Sequence, residues 1–508
     1  VASLLAVQEA GGVYLPLEPG HPDTRLQDFL RDSGARVLLS SERLVERARS
    51  LAGSLPHPVQ VLVWNQAPSS TEETELPWLG EGRRLATLFY TSGSTGSPKG
   101  AMVEHAGVLN HLWAKVELLG LGAGSAVAQN ASQGFDISVW QALAPLLVGG
   151  RVVVYGEAEA SDVAGLLGRV ERDGVTVLET VPSLLEAMLT ELPETGGPRL
   201  PCLEYLISNA ETLPVPVARR WLERFPHVAL VNTYGSTECS DDVTHQVFRR
   251  VSEVGEARVG VGRPIAGMQV LVLDEGLRPV PVGWPGQIAF SGVGLGRGYL
   301  GDAGKTAQTF VPDPWTEQPG GRLYLTGDQG RWGSGGNLEF LGRLDRQVKV
   351  RGHRIEPGEV EAALCRLEGV RQAVVEARPD RQGRLRLLAW VAAEDRLEGG
   401  ELRERLREHL PPALLPEEIV LVSALPRTRN GKVDRRALRE PEWEERSGWV
   451  GPRDELEERI AAAWREVLQL DQVGAHDDFF TLGGNSLRTV QVRSRLQRDL
   501  GVELPLRA

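Results

Sequence analysis

Cysteine is scarce in this chain of 508 residues: there are only 3, and Cys202, Cys239 and Cys365 lie far apart. They supply neither a disulfide framework nor a CxxC metal knuckle, and a reducing cytoplasm is the expected setting. Positive charge is also in deficit, with 56 Lys+Arg against 68 Asp+Glu and a net charge of -12. That balance has the wrong sign for nonspecific binding to nucleic acid or to an anionic membrane, so any phosphate ligand must be held by a local site. No apolar run reaches the roughly 18 residues that a spanning helix needs. The opening residues, VASLLAVQEAGG, have no initiator Met and no basic leader. They read as the middle of a domain, so the chain is expected to be a fragment. What remains is ordinary globular composition, 41% hydrophobic, 24% charged and 6% aromatic. At roughly 100 to 200 residues per domain, the length implies about three domains.

From Arg151 to Tyr234 short β-branched runs (RVVVY, VTVLETV, CLEYLISN, VALVNTY) alternate with helical segments. One helix is expected from Ser161, with Val163, Leu166, Leu167 and Val170 on one face; PSLLEAMLTEL and PVPVARRWLERF supply others. Such alternation predicts an α/β fold with a parallel sheet covered by helices. Between Gly255 and Leu344 the chain turns rich in Gly and Pro around MQVLVLD, QIAFSG and NLEFLG, which predicts an antiparallel, barrel-like section. A helix from Pro357, the strands RQAVVEA and LRLLAWV and a charged helix from Glu401 to His409 then read as a small α+β domain. PEWEERSGWVGPRD has the composition of a linker. Beyond it, Leu456, Ile460, Ala463, Trp464 and Val467 mark an amphipathic helix, and a second begins at Ser486. The boundaries expected are 1–343, 344–440, a linker at 441–452, and 453–508 for an incomplete helical unit.

The most specific local signal is TSGSTGSPKG, from Thr91 to Gly100, behind the apolar run LATLFY. Glycines and hydroxyls can donate hydrogen bonds to phosphate oxygens at close range, and Lys99 adds positive charge. The spacing is not that of a Walker A loop, because Lys99 follows Pro98. A rival pattern, GxGxxG at Gly296, Gly298 and Gly301, lacks the βαβ setting of a dinucleotide site. Cys239 has no histidine placed to activate it and reads as a small wall residue. His105, His111 and His353 lack metal-ligand spacing and read as structural.

These motifs occur in order with LLAVQEAGGVYLPLEP, FDIS, NTYGSTE, GQIAFSGVGLGRGYL, YLTGD, GRLDRQVKVRGHRIEPGEVE, LPPALLP and NGKVDR. The series resembles an amino-acid adenylation domain of a nonribosomal peptide synthetase, in the adenylate-forming superfamily. Departures are Ser236 where the family usually has Pro, Gln329 after TGD, and SNAET where many members read GGEAL. None removes a charged catalytic position.

The resemblance implies a large adenylate-forming core with a small C-terminal domain, and binding of ATP or AMP with Mg²⁺. It implies nucleotide contacts at Thr91, Ser92, Gly93, Ser94, Thr95, Gly96, Lys99, Asn232 and Gly235. Glu238 resembles the magnesium ligand, a hard carboxylate suited to that ion. Tyr234 resembles the ring packed on adenine, Asp328 the acceptor for the ribose hydroxyls and Arg343 a nucleotide contact. Lys432 resembles the lysine bridging substrate carboxylate and ATP, and Asp345 the hinge about which the small domain swings. Pocket positions of the family fall on Phe135, Asp136, Ile137, Trp140, Glu179, Ile207, Asn209, Thr233, Asp241 and Asp242, with Lys432. Asp136 and Lys432 are expected at the α-ammonium and α-carboxylate. The excess of carboxylates around the side chain then implies a short basic substrate, 2,4-diaminobutyrate first and ornithine second. The alternative reading is that one or both of Asp241 and Asp242 point away, since neighbours on an extended segment face opposite sides; Glu179 with one aspartate would still keep the pocket acidic.

DDFFTLGGNSL resembles the attachment site of a peptidyl carrier protein, with Ser486 bearing 4'-phosphopantetheine at a helix start. Expected partners are the amino acid, adjacent condensation and other synthetase domains, a phosphopantetheinyl transferase and a small MbtH-like accessory protein. Nucleic acid and membrane are not expected. Two rivals are an acyl-CoA synthetase-like ligase, disfavoured by Asp136 and the carrier tail, and a non-catalytic scaffold that only presents a carrier.

Overall fold

The computed structural model describes residues 1–65, 82–93, 96–193, 196–317, 319–380, 385–393, 397–428, 433–439, 450–468, 470, 472–477, 479, 482 and 486–500. A seven-stranded sheet forms the centre of the large domain. Arg151–Val154, Ala126–Gln129, Val177–Thr180, Tyr205–Ser208 and Ala229–Ser236 lie side by side and parallel. The edge strands Asp241–Phe248 and Arg263–Pro264 continue the sheet antiparallel. Helices Pro182–Glu191 and Val215–Arg224 each start with Pro at a first-turn position, where the missing N–H costs nothing. They bury Leu185, Met188, Trp221 and Leu222 in one core with strand residues Leu178, Leu206 and Leu230. The helix expected from Ser161 begins instead at Leu166 and runs to Arg172. Asp162 accepts from the N–H of Gly165 at 3.1 Å, and this local turn delays the helix.

The Gly- and Pro-rich section is antiparallel, as its short strands predict: Met268–Leu273, Gly286–Gly292, Arg322–Trp332, Phe310–Pro312 and Leu338–Arg343 form one sheet. The strand Gly298–Tyr299 leaves that section to pair antiparallel with Lys99–Glu104, which in turn pairs with Leu85–Thr91. The glycines of the GxGxxG pattern therefore lie in an antiparallel setting and do not open a βαβ unit.

In the small domain, the helix Pro357–Cys365 covers the strands Val370–Pro379, Leu385–Ala393 and Glu418–Val422. Its charged helix is Gly399–Leu406, three residues short of the expected His409 end. Further on, helices Glu455–Leu468 and Ser486–Leu500 share a core of Ala463, Val492 and Leu496, and the Trp464 ring meets Phe479 edge-on at 4.9 Å. Among the described residues no helix is long and apolar enough to cross a membrane.

Candidate active site

The loop after Leu85–Thr91 is shaped by a close approach. A Cβ on Gly93 would lie 1.7 Å from the Ser97 carbonyl oxygen, so only glycine fits there. Ser94 and Thr95 lie outside the described residues. The Thr91 hydroxyl is buried without a partner, a polar atom available to a ligand. Where the chain returns, the Lys99 ammonium lies 3.8 Å from Glu238 Oε1 and 4.9 Å from the centre of the Tyr299 ring. Burial and the charge of Arg354 bring its pKa down to about 8 against the opposing pull of Glu238.

Glu238 is fully buried. Its carboxylate accepts from the Tyr299 hydroxyl at 2.8 Å and from Arg354 Nη1 at 2.8 Å. Burial alone would raise its pKa, but Arg354 and Lys99 outweigh it and hold the group at about 2. Arg354 comes from the strand His353–Ile355, beyond Asp345, so the small domain reaches into this site. A second contact accompanies it: buried Glu359 accepts from the Gly93 N–H at 3.2 Å and from Arg25 Nη1 at 2.6 Å. The Ser92 hydroxyl donates to the Arg354 carbonyl at 2.8 Å. A guanidinium thus sits on Glu238, the expected magnesium ligand, and a carboxylate sits on the N–H of Gly93, an expected phosphate contact. Sequence reasoning missed Arg354, Glu359 and Tyr299, although the first two stand inside the motif GHRIEPGEVE.

Tyr234 donates to Asp328 Oδ2 at 2.6 Å, and Arg343 donates to Asp328 Oδ1 at 2.7 Å. Burial and that same carboxylate push the Tyr234 phenol well above its usual range. Its ring packs against Phe290 and Phe340, with centres 5.6 and 5.8 Å away. Arg343 Nε also donates to Asp345 Oδ1 at 2.9 Å, and Asp345 accepts from the Gln347 N–H at 3.0 Å. The expected nucleotide and hinge residues therefore form one connected chain. Asn232 is buried and donates to the Gly260 carbonyl at 2.9 Å. At Gly235 a Cβ would lie 2.0 Å from the Asp241 carbonyl oxygen.

The residues expected to line an amino-acid pocket gather at the carboxyl ends of the parallel strands, where α/β sheets place ligands. Asp136 caps the helix Ile137–Leu147, accepting from the Ile137 N–H at 3.0 Å, and burial pushes its carboxyl pKa upward. Phe135, one residue earlier, meets the His353 ring of the small domain at 5.2 Å. Glu179, at the end of Val177–Thr180, accepts from Trp140 Nε1 at 2.8 Å, Gln141 Nε2 at 3.2 Å and Asn209 Nδ2 at 2.6 Å. Burial still raises it to about 7. Ile207 is fully buried on the neighbouring strand, and the Thr233 hydroxyl is buried without a partner.

Alternation fails at Asp241 and Asp242, both of which are buried. Ser240 and Asp241 have φ of 64° and 84°, and the strand has an irregular register after Asp242, so the two side chains do not simply face opposite sides. Asp242 accepts from the Lys115 ammonium at 2.6 Å. Asp241 Oδ2 has no hydrogen-bond partner and lies 3.9 Å from His111 Nδ1. Burial and Asp242 keep the Asp241 carboxyl pKa well above its usual range. The fold also brings His111, Asp242 and His245 together with their ligand atoms within 4.8 Å, which their sequence spacing does not reveal. Lys115 already supplies a cation to that Asp242 oxygen. A small cavity of about 20 Å³, room for one water, is lined by His111, Asp136, Val139, Ser240 and Asp241 among others. Cys239 is buried and its thiol is pushed up by burial, which agrees with a wall residue and not a nucleophile. Lys432 lies outside the described residues, and Ser486 is the first residue of the helix Ser486–Leu500.

Residues 1–300 match the family model of AMP-binding enzymes, 359–432 that of the AMP-binding enzyme C-terminal domain, and 458–508 that of the phosphopantetheine attachment site. The chain is 38% identical over 512 residues to tyrocidine synthase 3 of Brevibacillus parabrevis, covering 100% of this chain and 8% of that protein. It is 39% identical over 518 residues to the phosphinothricin tripeptide synthetase PhsB of Streptomyces viridochromogenes, covering 100% of this chain and 42% of that one. The chain thus spans less than half the length of either relative. Its fold matches the structure of holo-PA1221, a nonribosomal peptide synthetase protein containing adenylation and PCP domains, with a TM-score of 0.78 and 28% identity over 98% of this chain and 81% of that one. The chain therefore belongs to the AMP-binding enzyme family, as an adenylate-forming ligase of the nonribosomal peptide synthetase kind with a phosphopantetheine attachment domain behind it.

Proposed function

We propose that this chain activates a short basic amino acid as its adenylate and passes the acyl group to the carrier domain that follows. The observation that carries this reading is the meeting of a phosphate-type loop, a buried Glu238 and an acidic pocket at one end of the sheet. The orphaned Thr91 hydroxyl, on the strand that leads into the loop, fits a phosphate group. ATP with magnesium supplies the electrophilic phosphorus and the pyrophosphate leaving group. The residues around it supply position and countercharge, the main needs when two anions react. Lys99 and Lys432 offset the accumulating negative charge, and Glu238 is the metal ligand once Arg354 withdraws. Asp328, Tyr234 and Arg343, with Asn232, Gly235 and the loop Ser92–Gly96, hold the nucleoside and phosphates. We read the arrangement with Arg354 on Glu238 and Glu359 on Gly93 as the one that follows adenylation, reached by rotation about Asp345. Ser486 carries 4'-phosphopantetheine, whose thiol accepts the acyl group as AMP departs.

For the substrate, Asp136 takes the α-ammonium and Lys432 the α-carboxylate. Glu179 is satisfied by its three donors and Asp242 by Lys115, so the argument for a basic side chain narrows to Asp241, which has a buried oxygen without a partner. 2,4-Diaminobutyrate ranks ahead of ornithine because Trp140 and Asn209 take up volume. The domain limits 1–343, 344–440, 441–452 and 453–508 belong to the same reading. So do adjacent condensation domains, a phosphopantetheinyl transferase and an MbtH-like protein as partners, and a cytoplasmic setting, which the free cysteines suit. Amino-acid-dependent exchange of labelled pyrophosphate into ATP tests the reading. Exchange that no amino acid stimulates would refute it.

A further inference from the structure

Lys115 sits in the apolar helix His105–Leu119, whose buried neighbours include Leu112, Val116 and Leu119. Its side chain is 0% exposed, its ammonium is 2.6 Å from Asp242 Oδ2, and it lies 4.6 Å from the centre of the Trp140 ring. A lysine this deep persists only where fixed anions hold it charged. Burial alone would discharge it, but Asp242, Glu179 and Asp241 together keep its pKa above the usual lysine value. The imidazoles of His111 and His245 add no positive charge, because burial lowers both. Lys115 is thus the cation built into a cluster of Asp136, Glu179, Asp241 and Asp242.

We propose that Lys115 is a specificity-determining residue of the amino-acid pocket: its ammonium occupies the place of one substrate cation and so sets how much positive charge a side chain can bring. The inference rests on the pocket assignment proposed above. The α-ammonium matches Asp136, Lys115 matches Asp242, and Trp140, Gln141 and Asn209 hold Glu179. Asp241 is left for a single group on the substrate side chain. Removing Lys115 leaves Asp242 as a second unmatched carboxylate and draws cationic side chains in. Removing the Asp242 charge leaves Lys115 unmatched and repels them.

The test measures kcat/KM for pyrophosphate exchange with 2,4-diaminobutyrate and with norvaline, its neutral isostere. The full chain is compared with Lys115→Met, Asp242→Asn and the double variant. Lys115→Met is expected to raise the ratio of diamine to isostere by about tenfold or more, Asp242→Asn to lower it by about tenfold or more, and the double variant to return near the parent value. An ion pair that only held the fold would lower both substrates together. Ratios unchanged across the set would overturn the proposal. If Lys115→Met alone failed to fold, Asp242→Asn against the double variant would still decide it, because the proposal requires the ratio to recover. Should norvaline be the better substrate of the parent chain while the ratios move as stated, the basic-substrate reading falls and the role of Lys115 stands. Should the diamine be preferred with all ratios fixed, the role of Lys115 falls and the reading stands.

Discussion

Replacing Arg354 with methionine should separate the two half-reactions. The guanidinium lies 2.8 Å from Glu238, whose side chain is fully buried, while that of Arg354 keeps 19% of its exposure. Breaking a fully buried pair costs about 3–5 kcal/mol. Here Tyr299 at 2.8 Å and Lys99 at 3.8 Å remain beside the carboxylate. The loss should therefore resemble that of one hydrogen bond to a charged group, about 2 kcal/mol. At 1.36 kcal/mol per tenfold, that is a roughly 30-fold loss of the arrangement with the small domain docked. Transfer from a preformed aminoacyl adenylate to the carrier should slow by about that factor. Pyrophosphate exchange should hold or rise, because Glu238 is released. The pH profile adds a second readout. A lysine loses its charge as pH rises through its pKa, and burial followed by Arg354 places that point for Lys99 at about 8. Removing Arg354 should move the alkaline limb of the transfer step to higher pH. Labelled pyrophosphate exchange and carrier acylation measured on one preparation decide the matter, and equal losses in both would refute the reasoning.

Other outcomes follow from the same geometry. Lys432→Ala should abolish adenylation, whereas Ser486→Ala should spare it; both should fail to load the carrier, and exchange persisting unchanged in Lys432→Ala would remove that lysine from the mechanism. Asp345→Pro fixes φ near roughly -65° and should trap one arrangement. It should depress exchange and acylation unequally, and small equal losses would exclude a hinge role. Asp241→Asn should cost activity on the diamine about tenfold more than on norvaline. Because burial and Asp242 push the Asp241 carboxyl above its usual range, its carboxylate form is gained only as pH rises past that range. KM for the diamine should fall over the same interval in the parent chain and not in the variant.

Contiguous features were legible from sequence: the Gly- and Ser-rich loop behind a buried strand, the Pro-started helices, the switch from parallel to antiparallel strands, and the helix starting at Ser486. What escaped notice depends on contacts between distant segments. Lys115 looks like one polar residue on an apolar helix, and its meaning appears only when Asp242, 127 positions away, is brought beside it. Arg354 and Glu359 gain their roles from the docking of the small domain, which no local pattern encodes. That both Asp241 and Asp242 are buried, against simple alternation, depends on two non-glycine residues there that adopt left-handed backbone, a conformation the sequence does not announce. The delayed helix at Leu166 reflects a side-chain turn at Asp162 that competes with hydrophobic periodicity.

The central claim is tested most directly by intact-mass measurement of the full chain, with its phosphopantetheine arm installed, offered ATP, Mg²⁺ and an equimolar mixture of amino acids. The account predicts that the thiol of the arm on Ser486 acquires a single acyl group with the mass of a 2,4-diaminobutyryl residue, with ornithine the next most abundant. Loading by leucine or phenylalanine in preference to either diamine would contradict it.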